Sequence, residues 1–219
     1  MTEWWSYRPS DFLMYSPRVY FRQIETYNNA LWPLQLMMLL VGIGLVWLLL
    51  RPRQNDRRIV AIVLAALWLF VGWAYLWSRL SSINWAATYA ACGFAVQAIL
   101  MIVIYVMPSK NRAPLLNGVS GPVVAAVAVL LYPGLSLIAG RGLGTSEVFG
   151  IMPDPTAIAT IGFLASARQR YDFVLFVIPT LWCIISSVTL YAMVDTTWWI
   201  PLAICVLGIA ATFARHNRA

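Results

Sequence analysis

The chain has 219 residues, of which 61% are hydrophobic and 11% charged, and it carries a formal net charge of +7. A water-soluble domain charges about a quarter of its residues, so this apolar excess excludes a soluble globular protein and requires lipid contact. The basic residues recur in short stretches between apolar runs instead of forming one face, which excludes a nucleic-acid footprint.

The first thirty residues are polar and aromatic, with no apolar core ahead of a small-residue cleavage site, so no signal peptide is expected. Ser16-Pro17 reads as a helix cap followed by a first helical position. Tyr20, Ile24, Tyr27 and Leu31 then fall on one side at helical spacing, with Arg18, Arg22 and Glu25 on another. This spacing predicts an interfacial helix over 17–29 within an N-terminal segment 1–30, leading into a bundle over 31–219.

Seven apolar segments follow, at about 31–50, 59–77, 85–107, 122–139, 155–167, 173–193 and 198–214. Trp and Tyr mark many of their ends, as at a membrane interface. The expected fold is all-α: a polytopic bundle of about seven helices, the fifth short, with the interfacial helix in front. The fifth segment is short enough that a re-entrant half-helix stands as an alternative to a full span. On the full-span reading, ten Arg or Lys fall on one side and five on the other. The excess belongs in the cytoplasm, so the N-terminus is expected outside and the C-terminus inside.

The polar residues within this frame limit the chemistry. The lone Lys110 lies in a loop, which rules out a retinal Schiff base. The single His216 lies near the C-terminus, and no two acidic residues share a helical face, so no metal site is expected. Cys92, Cys183 and Cys205 lie inside apolar runs at unrelated spacings and read as buried free thiols. Ser186 and Ser187 have no base beside them in sequence and read as bonding to backbone carbonyls or neighbouring helices. No catalytic residue is assigned, and the pattern names no cofactor. Gln35 and Gln97 lie within apolar segments, where an amide either glues helices together or lines a small polar cavity.

The stretch 141–172, RGLGTSEVFGIMPDPTAIATIGFLASARQRYD, crowds glycines, prolines and acids into an otherwise apolar chain. Within it, Pro153-Asp154-Pro155-Thr156 reads as a helix start, with Asp154 as the cap and Pro155 in the first position. Arg141 is the expected cationic neighbour of Asp154. Together with Glu147 these are the candidate binding residues, and Arg79 and Asp195 are expected near the same surface.

Tyr27-Asn28, Trp32-Pro33, Gln35, WAYLWSRLSSINWAA at 73–87, Tyr132-Pro133, Phe149-Gly150, Pro155-Thr156 and IPTLWCIISS at 178–187 form a further pattern. It resembles the bacterial domain-of-unknown-function family numbered 6064. The resemblance covers most of the chain and implies a polytopic protein of the bacterial cytoplasmic membrane, with no activity and no catalytic residues to carry over. Two functional classes follow. One is a small-solute binding or transport protein with an outward-facing polar site at Arg141, Glu147, Asp154, Gln97 and Gln35. The other is a non-catalytic accessory or assembly subunit, with membrane proteins or further copies of itself as partners.

Overall fold

A computed structural model describes residues 15–53, 55–107, 115, 119–167 and 172–216, the last few without side chains. Of the basic residues used above, Arg8, Lys110, Arg112, Arg168, Arg170 and Arg218 lie outside these. The described residues form helices and turns without strands. Helix α1 is Pro17–Ala30 and α2 is Leu34–Leu50. Helix α3 runs Asp56–Ser82 and α4 Ala87–Val106, each ending in π or 3-10 turns, and α5 runs Ser120–Ile138 with π and 3-10 turns over 127–134 before a last α turn. Then come α6 (Pro153–Ser166), α7 (Asp172–Ala192) and α8 (Ile200–His216).

Four of these, α3, α4, α5 and α7, are long and apolar enough to cross a membrane. The pair α1 and α2, bent by 88° at their junction, makes a fifth if counted as one unit. The expectation of seven spans is therefore corrected to four or five candidates. Helix α2 alone is about 25 Å long against a hydrocarbon core of about 30 Å, and the stretch of α8 described with its side chains, Ile200–Thr212, is shorter still.

Helix α6 departs furthest from expectation. It is about 21 Å long, and all fourteen of its residues are buried. It is sheathed chiefly by α5, α7 and α8, with α3 behind. It runs antiparallel to α5: its first turn meets Tyr132 near the end of α5, and Ser166 meets Gly121 near the beginning. Protein, not lipid, surrounds it. A helix inside protein need not match the bilayer, so its length is set by its neighbours. The same enclosure removes the basis for counting its flanking loops in the positive-inside tally.

The core is close-packed around small residues. A Cβ on Gly121 would lie 2.0 Å from Ser166 Oγ and 2.6 Å from the Gly162 carbonyl. One on Gly208 would lie 2.5 Å from Ile161 Cγ2, which is how α8 reaches α6. The hydroxyls of Thr156, Thr160 and Ser166 turn back onto carbonyls of their own chain at 2.7, 2.9 and 3.2 Å, and Trp68 Nε1 of α3 donates to Thr160 Oγ1 at 2.8 Å.

Helix α1 follows its sequence. Pro17 occupies the first position and Ser16 Oγ accepts from Val19 N at 3.4 Å. Ile24, Tyr27 and Asn28 face inward. The helix lies across one end of the bundle, joined to the α3–α4 turn through Gln23, whose Nε2 donates to the Arg79 carbonyl.

Replacing Gly121 with Ala forces backbone, not a flexible side chain, to move. The variant should lose about 1–3 kcal/mol of stability, read by thermal unfolding in detergent. Unchanged stability would contradict the α5–α6 contact.

Candidate functional site

Asp154 is the second residue of α6 and is buried, but it does not cap the helix. The α6 start needs little capping. Two of its first four residues, Pro153 and Pro155, have no N–H to satisfy, and the chain before them is closed by Ile151 N and Met152 N on the Val148 carbonyl. The carboxylate is thus free to turn sideways. Oδ2 accepts from Tyr132 Oη at 2.8 Å and from Ser186 Oγ, while Oδ1 accepts from Trp182 Nε1 at 2.7 Å. All three partners are donors, so each bond is strongest when the carboxylate is charged. The positive end of α6 adds to that preference. This single side chain ties α5, α6 and α7 together.

Trp182 and Ser186 are four apart on α7 and so share a face, presenting an indole N–H and a hydroxyl in line. Their spacing and donor character were visible in the sequence, yet they were not singled out there as Asp154 partners. Tyr132 precedes Pro133 at the irregular end of α5. Two of the segments that carry the family resemblance, Tyr132-Pro133 and 178–187, therefore meet at one carboxylate.

Arg141 is not the partner of Asp154. Its Nε lies 3.5 Å from Asp195 Oδ2, in the turn between α7 and α8, and its guanidinium carbon lies 4.2 Å over the Phe21 ring of α1. Asp195 Oδ1 accepts from Thr197 N and from the Thr197 hydroxyl. Arg79, expected nearby, has an exposed side chain and is not part of this group.

Glu147 is buried, 8% exposed, and among the described residues its carboxyl has no hydrogen-bond partner. Burial holds it well above the ordinary carboxylate range. The charge of Asp154 pushes the same way and so does that of Asp195, while Arg141 opposes both. Glu147 and Arg141 line one recess with Tyr132, Ser136, Thr145 and Thr197, of about 240 Å³ including its mouth. Its interior leaves room for about one water. Above it, Asn28 Nδ2 of α1 donates to the carbonyls of Gly144 and Ser146, both at 2.8 Å, and Ser136 Oγ meets Ser146 Oγ at 2.8 Å. Helix α1 is thus fastened to the loop that carries Glu147.

The two glutamines lie elsewhere. Gln35 is half-buried at the start of α2, and its Nε2 donates to the Asn28 carbonyl at 2.6 Å. Gln97 is fully buried in α4, and its Nε2 donates to the Leu175 carbonyl of α7 at 3.1 Å. That carbonyl lies four residues before Pro179, which has no N–H to offer it. Gln97 supplies the donor that the proline removed, so its geometry is that of a helix-to-helix bond and not of a residue lining the recess.

No cluster of three or more His, Cys, Asp or Glu with metal-binding geometry occurs among the described residues.

The architecture is that of a helical membrane protein with a buried polar cluster roofed by its N-terminal helix. The chain belongs to the family of unknown function DUF6064, whose family model matches residues 17–219. Neither curated proteins nor solved structures gave a match.

An Asn at 154 would keep one acceptor oxygen and turn its NH2 toward Trp182 Nε1 or toward the Tyr132 and Ser186 hydroxyls, leaving at least one donor unsatisfied. Asp154→Asn should therefore cost about 3 kcal/mol or more, against about 1.5 kcal/mol for Tyr132→Phe. Denaturant or thermal unfolding of both variants checks this; an Asn variant as stable as the parent would restore the capping role.

Gln97→Leu should cost about 1 kcal/mol in the parent chain and much less in a Pro179→Ala background, where the helix satisfies its own carbonyl. Equal losses in both backgrounds would break the link between Gln97 and the proline.

Proposed function

We propose that this protein binds or transports a small polar solute of the bacterial cytoplasmic membrane's outer face, at the recess beneath α1. One observation supports this above the others: two carboxylates and a guanidinium line or flank a pocket buried in an otherwise apolar bundle. Ionisable groups are costly in such surroundings and are kept where they act on a solute, an ion or a proton. Structural need accounts for Asp154, whose carboxylate is filled by three donors, but not for Glu147.

The dimensions restrict the solute. Pockets for drug-sized ligands run to about 300–1,000 Å³, larger than this one even with its mouth included. With room for about one water, the recess suits a solute of water or ammonium size, or a proton, and excludes sugars, amino acids and nucleotides. The excess of Arg and Lys in the loops of the opposite end favours the outward placing of this end.

Purified protein in detergent should be warmed with a series of small solutes: ammonium, methylammonium, sodium, potassium, chloride and formate. A solute present at ten times its dissociation constant should raise Tm by about 3–6 °C, and glycine betaine, too large for the recess, should not. Saturable shifts by none of the series would count against the reading.

A further inference from the structure

We infer that Glu147 is a proton-exchange site, with Arg141 as a built-in counter-cation that moves from Asp195 to Glu147 when the proton leaves. This rests on the recess being the binding site and names the species it handles.

Two independent features of the recess carry the assignment. Glu147 is more than nine-tenths buried, lines the recess and has no hydrogen-bond partner among the described residues. Arg141, lining the same recess, has buried Nε and Nη1 atoms without hydrogen-bond partners, and its Nε merely approaches Asp195. A guanidinium with unused N–H groups beside a carboxyl with unused oxygens is a pair that has not closed. In water the two would join; here they stay apart while the carboxyl is neutral and the guanidinium is held between Asp195 and the Phe21 ring.

The surrounding charges agree. Asp154 faces Glu147 from α6 and Asp195 from the α7–α8 turn, and Tyr20 of α1, Tyr75 of α3 and Tyr132 of α5 feel its charge as well. The Asp154 carboxylate accepts three hydrogen bonds, and Asp195 has Arg141 and Thr197, so a charged Glu147 would be the one of these three carboxylates left without a donor. A proton resolves this in the space of a single hydrogen. A metal cation does so less well, because Arg141 already places a positive charge at the site.

The transfer is simple. The proton on a Glu147 carboxyl oxygen passes to a water molecule that enters the recess, which has room for about one, and leaves as hydronium. The carboxylate left behind accepts a hydrogen bond from Arg141 Nη1, and the Arg141–Asp195 contact loosens. Proton uptake runs the same steps in reverse.

The infrared C=O stretch of a protonated carboxylic acid tests this on the full-length protein in detergent. At neutral pH the parent should show such a band, which should disappear in Glu147→Gln and fade in the parent as the pH is raised. If Glu147→Gln does not fold, the parent labelled with ¹³C-carboxyl glutamate gives the answer, because a shifted band assigns it to Glu and not Asp. Of the three glutamates in the chain, Glu25 is exposed and Glu147 is buried, and carrying Glu3→Gln in the labelled protein removes the third from the assignment.

Stability provides a second readout. A carboxyl favoured neutral by the fold stabilises fully below the ordinary carboxylate range, and that contribution is lost as pH rises toward its folded value. The parent should therefore lose about 3–5 °C of Tm per pH unit above about pH 5, while Glu147→Gln stays level across that window. A parent without a protonated glutamate band at neutral pH would overturn the proposal, as would a ¹³C-shifted glutamate band that survives Glu147→Gln. Either result leaves the solute series untouched, and a protonated Glu147 with no solute-induced shift would fail the broader reading alone.

Discussion

The three hydrogen bonds onto Asp154 are what the rest of this architecture depends on. A carboxylate cannot sit unpartnered in a low-dielectric interior, and the donors that satisfy it come from α5 and α7. Those two helices must therefore flank the start of α6, which keeps that end of it out of lipid. Glycines at 121, 162 and 208 then let α5 and α8 close on its remaining length. A helix about 21 Å long becomes possible inside a membrane protein because nothing along it meets the bilayer.

The same bonds separate two carboxyls that the sequence presents alike. Asp154 and Glu147 are seven residues apart in one polar stretch, and both are buried. One is filled with donors and works as a tie between helices; the other has none. Arg141 lines the same recess as Glu147, and its guanidinium pairs with Asp195. Helix α1 completes the arrangement through Asn28, whose single side-chain amide holds two carbonyls of the loop that carries Glu147. The same helix sets the Phe21 ring against the Arg141 guanidinium.

Local signals were legible in the sequence; signals that need a second helix were not. Ser16-Pro17 and the spacing of Ile24 and Tyr27 foretold α1 because a cap and an inward face are properties of one segment. The apolar run at 155–167 was readable as a helix, but hydropathy cannot tell a lipid-facing helix from one sheathed in protein, and the count of seven spans failed there. The capping role of Asp154 failed for a chemical reason in plain view: the prolines on either side remove N–H groups that a cap would serve. Gln97 was rightly suspected of joining helices, yet its partner is a carbonyl freed by Pro179, some eighty residues along the chain. No single-segment pattern connects them.

The charge balance of the interior explains why the buried charged groups lie at helix ends and turns instead of midway along the bundle. Each ionised group in a low-dielectric interior needs its compensation within a few ångströms, since dispersed dipoles do not repay the loss of water. Backbone N–H groups inside the helices are already committed, so donors have to come from side chains and from helix ends. Both kinds concentrate where chains turn: the start of α6, the irregular end of α5, the loop 139–152 and the turn after α7. Buried charge sits there and in the first turn of α3, where Asp56 and Arg57 are buried, and α1 lies across the former end. The arrangement follows from the chain's own connectivity: the polar loop that cannot face lipid is roofed by the polar segment that precedes the first apolar helix.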